Sequence, residues 1–138
     1  MQAETNESYL IFTIHKSLYA IKNTNVQEIM HSAKIHPLPF VPDYIEGIVN
    51  CRGVPYTVVN FLKLNHEENC EISEPAILVF RRKDDQFALH ISGIELFFEP
   101  EEEDILSDGI KYKTRIIPYF DVDSIEAALC QDLMEEEI

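Results

Sequence analysis

Residues 42–60, PDYIEGIVNCRGVPYTVVN, restrict the fold of this 138-residue chain more than any other stretch. An apolar run (Ile45, Ile48, Val49) leads into the polar step Asn50-Cys51-Arg52-Gly53. A second run, Tyr56-Thr57-Val58-Val59, leaves it. Two strand-type segments joined through a glycine-containing turn predict a hairpin or a tight strand-to-strand crossing. Gly47 permits a bulge or a close approach of backbones, and Gly53 permits a positive φ at the turn. Arg52 is the only full charge between Glu46 and Lys63, and it falls at a turn on a rigid sheet. That placement marks it as a candidate recognition residue.

The flanking segments carry the same strand-rich pattern. YLIFTI at Tyr9–Ile14 is apolar, aromatic and β-branched and predicts a strand, with residues 18–21 as its hairpin partner. Val26, Ile29 and Met30 fall at i, i+3 and i+4, which predicts one short helix, with Asn25 and Glu28 as a capping box. Residues 35–42, IHPLPFVP, hold three prolines and predict an extended connector. Residues 63–73 predict a polar loop or a short helical turn. AILVF at Ala76–Phe80 predicts a central strand, followed by the basic step Arg81-Arg82-Lys83 and a turn at Asp84-Asp85. Residues 87–98 resume the strand pattern, broken by Gly93. Residues 100–108 read as an acidic loop and 113–123 bring a last strand. Asp123, with Glu126 three residues on, is then the predicted cap of a final helix whose apolar stripe is Ile125, Leu129 and Leu133.

These residues together resemble the CheW-like domain family, the chemotaxis coupling proteins. Pro42, Ile45, Gly47, Ile48, Val49, Asn50, Arg52, Gly53, Val58, Val59 and Phe61 stand in the places of that family's central signature. Cys51 replaces its usual leucine, and Thr57 stands where proline is frequent. Upstream, Phe12, Ile14, Tyr19, Ala20, Ile21, Val26, Glu28 and Ile29 match a second pattern ending in V-x-E-I. Downstream, Ser92 replaces a frequent aspartate, and the stretch from Phe98 to Lys113 is shorter than in family members. Residues 105–112 leave little room for the strand usually found there, so an edge strand is expected to be lost or rerouted.

The resemblance implies a mostly-β fold: two small five-stranded SH3-like β-barrels packed around a shared core, with a C-terminal helix. One domain of this kind spans 1–138, with a flexible N-terminus at 1–7, a body at 8–134 and an acidic tail at 135–138. It also implies a non-catalytic adaptor that couples the cytoplasmic tip of chemoreceptors to the regulatory domain of a CheA-type histidine kinase, working in the cytoplasm. The implied partner-binding residues are Val26, Glu28, Ile29, Gly47, Val49, Asn50, Arg52 and Gly53. Val26, Ile29 and Val49 would be apolar anchors, with Glu28 and Arg52 setting orientation. One alternative is a divergent member that binds a single partner or serves a non-chemotaxis kinase.

Composition narrows the function classes. The net charge of −14 is uneven: residues 1–90 hold 11 acids and 8 bases, residues 91–138 hold 14 and 3. Such a chain is repelled by nucleic-acid phosphate and by anionic lipid, so protein partners are expected and nucleic acid is not. No apolar run is long enough to span a membrane, and no secretion signal is visible at the N-terminus. Three widely spaced cysteines, Cys51, Cys70 and Cys130, read as reduced thiols.

Catalytic and metal motifs are not found. The five histidines show no metal-ligand spacing, although His31 and His36 fall near one another, and no cofactor is expected. No phosphate-cradling glycine loop or nucleophile elbow occurs. Cys51 would serve a small thiol enzyme or ligand sensor only with a base beside it; an inert buried thiol is the simpler reading.

Overall fold

A computed structural model describes residues 7–66, 76–82 and 86–135. Among these residues the chain forms ten strands and two α-helices: β1 Tyr9–Ile14, β2 Ser17–Lys22, β3 Val26–Met30, β4 Ile45–Cys51, β5 Val54–Val59, α1 Phe61–Leu64, β6 Ala76–Phe80, β7 Phe87–Ile91, β8 Gly93–Phe98, β9 Gly109–Tyr112, β10 Arg115–Pro118 and α2 Val122–Glu135. One sheet has the order β3-β6-β7-β5-β4. The other five strands lie as β2-β1-β8 and β10-β9, joined where Ala20 bridges Tyr119 and the Phe120 N–H donates to the Ala20 carbonyl (2.9 Å). These are the two five-stranded units expected of paired SH3-like barrels, here called barrel 1 (β3–β7) and barrel 2 (β1, β2, β8–β10).

Strand alternation explains how the two units share a core. In β1, Tyr9 and Ile11 point into barrel 2 with Ile110 and Ile117, whereas Leu10, Phe12 and Ile14 point the other way. In β7, Phe87, Leu89 and Ile91 face that same common layer, and Ala88 faces the interior of barrel 1 with Val49, Val58, Ile77 and Val79. A strand buried on both faces reads as a continuous apolar run, which is why YLIFTI and AILVF stand out in the sequence. At the centre of the shared layer, Phe120 packs against Phe12, Tyr19, Phe61 and Phe80, with ring centroids 4.9–6.2 Å away.

The helix expected from Val26, Ile29 and Met30 is a strand. A single 3₁₀ turn at Asn23–Asn25 precedes it, and β3 pairs antiparallel with β6. The register shifts between Val26 and Glu28. That bulge inserts one residue into the alternation, so Val26 and Ile29 both meet the shared core at a spacing that mimics a helical face. Met30 then packs into barrel 1. The short stretch at 105–112 still supplies a strand, so barrel 2 keeps five. Ile105 bridges Ile110, the Leu106 N–H reaches the Gly109 carbonyl (2.9 Å), and β9 pairs with β10 in a tight hairpin.

The predicted final helix forms, with Ile125 and Leu129 buried. Its cap is Asp121, not Asp123: the Asp121 carboxylate accepts from the Ser124 N–H at 3.2 Å. Asp123 and Glu126 instead both accept from Arg82, which ties the helix start to the end of β6. Residues 63–64 belong to α1, whose N-cap Asn60 accepts from the Lys63 N–H. Residues 67–75, 83–85, 1–6 and 136–138, with Cys70 and the Leu133 side chain, lie outside the described residues.

Candidate functional site

The signature stretch is a two-residue hairpin. β4 and β5 pair from Ile45↔Val59 to Cys51↔Val54, leaving Arg52 and Gly53 as the loop. Both have positive φ, 53° and 85°, the combination whose twist matches the flanking strands. Gly53 adopts that region at no steric cost, whereas Arg52 is held there by its neighbours. Asn50 braces the turn by accepting from the Gly53 N–H at 2.8 Å.

Arg52 points across the open side of barrel 1. Its Nε–H donates to Glu28 Oε1 at 2.7 Å, and the Cys51 thiol donates to the same oxygen at 3.5 Å. The hydrogen bond from Arg52, with a smaller one from Cys51, holds the Glu28 carboxyl below its ordinary range. Burial, and then the Glu28 carboxylate, push the Cys51 thiol up. That is the opposite of an activated nucleophile. Glu28 therefore does not cap a helix: its carboxylate is the acceptor at the hairpin tip. The Arg52 side chain remains 79% exposed, so the rest of its donor fork faces outward.

The eight residues singled out by sequence divide into two groups. Glu28, Asn50, Arg52 and Gly53 meet at the hairpin tip. Val49 lies inside barrel 1 and Val26 inside the shared core, so neither offers an apolar anchor on the surface; Ile29 alone of the three stays partly exposed. Gly47 sits at the bulged end of β4, where a Cβ would lie 2.2 Å from the His36 carbonyl oxygen. It is needed for the close pass of the proline-rich connector.

A second polar cluster was not legible in the sequence. At the bulge of β4, Glu46 accepts from His90 Nδ1 of β7 (2.8 and 3.0 Å) and from Asn60 Nδ2 (2.9 Å). A carboxylate can only accept, so the Nδ1 proton of His90 is fixed by this contact. Burial pushes the Glu46 carboxyl up. His90, Asn60 and Lys63 outweigh it and leave the carboxyl lowered. His90 and Asn60 are buried, and together the three tie β4, β7 and the start of α1. Glu46 and His90 are 44 residues apart, so only the folded sheet brings them together. Among the described residues no group of three His, Cys, Asp or Glu side chains is placed to hold a metal ion. No described helix is long and apolar enough to cross a membrane.

Comparison with known proteins gives a consistent picture. The family model described as "CheW-like domain" matches residues 8–122. The chemotaxis protein CheW of Bacillus subtilis is 27% identical over 90% of this chain and 89% of that protein. The protein of the same name from Thermotoga maritima is 26% identical over 84% and 85%. The crystal structure of the scaffolding protein TtCheW from Thermoanaerobacter tengcongensis superposes with a TM-score of 0.74 at 17% identity, over 88% of each chain.

Proposed function

Because the chain belongs to the CheW-like domain family, we propose that it is a non-catalytic adaptor of bacterial chemotaxis, linking the cytoplasmic tip of chemoreceptors to a CheA-type histidine kinase. The curated relatives bear the name chemotaxis protein CheW, and the structural neighbour is a scaffolding protein. The observation that carries this reading to particular residues is the geometry of Arg52. Its guanidinium stands at a rigid hairpin tip, pinned through one N–H by Glu28, with the outer donors turned to solvent.

A planar fork held in this way meets a partner carboxylate or carbonyl with little further ordering. Glu28 and Asn50 beside it supply acceptors, and partly exposed Ile29 adds apolar contact. Such an adaptor works by geometry: it fixes receptor and kinase relative to one another so that the state of one biases the other. A function of this kind places the protein in the cytoplasm, beside receptors that are themselves membrane-bound.

The test uses the kinase regulatory domain and a receptor-tip fragment from the same organism, each titrated against the full chain and against a folded Arg52→Glu variant. Binding of both by wild type, with loss of at least one in the variant, supports the adaptor and its site. Binding of one partner only, in both proteins, supports a one-sided adaptor and removes Arg52 from the site. Binding of neither overturns the chemotaxis reading.

A further inference from the structure

Residues 91–138 hold 14 acids and three bases, and all three bases, Lys111, Lys113 and Arg115, fall within residues 111–115. β9 and β10 gather them on one hairpin, pairing from Gly109↔Pro118 to Tyr112↔Arg115 with Lys113 and Thr114 as the loop. All three are exposed. None forms an ion pair with a described carboxylate, whereas Lys22, Arg52 and Arg82 each do.

Strand alternation sorts the two faces of this hairpin. Ile110 and Ile117 are a register pair buried inside barrel 2. The next pair, Lys111 and Ile116, therefore points outward, and Ile116 is 51% exposed. The Ile116 side chain lies close over the neighbouring strand, since a Cβ at Gly109 would stand 2.9 Å from its Cγ2. At the loop, Lys113 Nζ lies 5.3 Å from the centre of the Tyr112 ring, and that ring packs edge-on against Phe98. The Phe120 N–H bonded to the Ala20 carbonyl ties the end of β10 to β2, so the hairpin rests on a fixed support. The result is one exposed aliphatic side chain beside three cations.

Acids bound this patch on one side. Ile105 bridges Ile110, which sets the turn Glu102–Asp104 beside β9, and Asp108 precedes the hairpin. An anionic membrane or a nucleic-acid duplex would meet these carboxylates together with the cations, on a chain of net charge −14. A short segment can touch the cations alone.

We propose that the β9–β10 hairpin is a second interaction surface, which takes an acidic segment of a protein partner with one apolar side chain set over Ile116. Carboxylates of the segment meet Lys111, Lys113 and the planar fork of Arg115. Contacts between exposed charges are individually weak and are screened by salt, so the association is weak and salt-dependent. The surface lies on barrel 2, apart from the Arg52 tip on barrel 1, and stands whether or not Arg52 meets a partner.

Fluorescence anisotropy of a short labelled peptide, in which glutamates flank one leucine, titrated with the full chain at low salt tests this. Wild type should bind it, and more weakly as salt rises. Lys111→Glu with Arg115→Glu should lower affinity at least about tenfold. Lys34→Glu with Arg81→Glu changes the net charge equally on barrel 1 and should leave affinity within about twofold. Lys111→Gln with Arg115→Gln removes the charges without reversing them and should fall between wild type and the double reversal. Wild type should also prefer the leucine peptide to one with serine in its place, and Ile116→Ser should lose that preference. No binding by wild type, or equal losses in the two charge-reversed proteins, would overturn the proposal. So would a leucine preference that survives Ile116→Ser, or tighter binding to phosphatidylserine vesicles or duplex DNA than to the peptide.

Discussion

Glu28 and Arg52 stand on the two outer strands of the five-stranded sheet and its hairpin tip, yet their side chains meet at 2.7 Å. The contact spans from one outer strand to the tip beside the other and aims a guanidinium outward. Neither residue is buried enough for the pair to matter much to stability. Its value is orientation.

The first prediction separates those two effects. Arg52→Glu sets two carboxylates against each other at the tip; the circular dichroism spectrum should stay native while partner affinity falls about tenfold or more. Arg52→Lys keeps the charge but loses the planar fork, so it should bind more weakly than wild type and better than Arg52→Glu. Equal affinity for all three proteins would exclude Arg52 from the interface.

The cluster of Glu46, His90 and Asn60 predicts an acid limb in the stability profile. Its partners hold the Glu46 carboxyl below the ordinary value of 4.5, so the unfolded chain takes up that proton more readily than the folded one. The stabilisation is present above the ordinary value and is lost as pH falls through the lowered one. Urea midpoints should drop steeply on acidification in wild type. Glu46→Gln should start lower by about 1–3 kcal/mol at neutral pH, with a flatter acid limb. Parallel profiles would assign the acid sensitivity to other carboxylates.

How far these features can be read from the sequence depends on whether they are local. The β4–β5 hairpin was legible because apolar alternation and a glycine turn lie within a few residues of one another. Val26–Met30 carries a helical spacing because a bulge shifts the phase of a strand, and a phase shift leaves no local signature. Burial had the same effect on Val26 and Val49, whose apolar character suits a surface anchor and a core position equally. Glu28 and Arg52 each fall in a recognisable sequence pattern, but their pairing depends on barrel closure. The contact of Glu46 with His90 depends on β4 and β7 flanking β5, an order that no spacing encodes.

Gly47 and Gly53 make contrasting predictions from similar-looking positions. Both have positive φ, but a Cβ at Gly47 would strike the His36 carbonyl at 2.2 Å, whereas at Gly53 nothing lies within 4 Å. Gly53→Ala should therefore cost about 1 kcal/mol, the conformational penalty alone. Gly47→Ala should cost about 3 kcal/mol or more, because the connector must move off β4. Thermal or urea denaturation of both variants checks the ranking; similar losses would mean that the connector yields easily.

Phe120 predicts how the two barrels unfold. Its ring touches Phe12 and Tyr19 of barrel 2, Phe80 of barrel 1 and Phe61 of α1, so it belongs to neither unit alone. Phe120→Ala should cost about 3–5 kcal/mol, the usual penalty for a cavity at a buried aromatic. The location of that loss matters more than its size. A core shared by both sheets leaves neither barrel able to keep its apolar face covered once the other opens. Four of the six tyrosines (Tyr9, Tyr19, Tyr112 and Tyr119) belong to barrel 2, so tyrosine emission, free of tryptophan in this chain, is weighted toward that unit, while far-ultraviolet dichroism reports on both. The two signals should shift together in Phe120→Ala, with one midpoint and an unchanged urea slope. Two separated midpoints would mean that barrel 2 is stable on its own interior of Tyr9, Ile11, Ile110 and Ile117, and that the shared layer joins two units already folded.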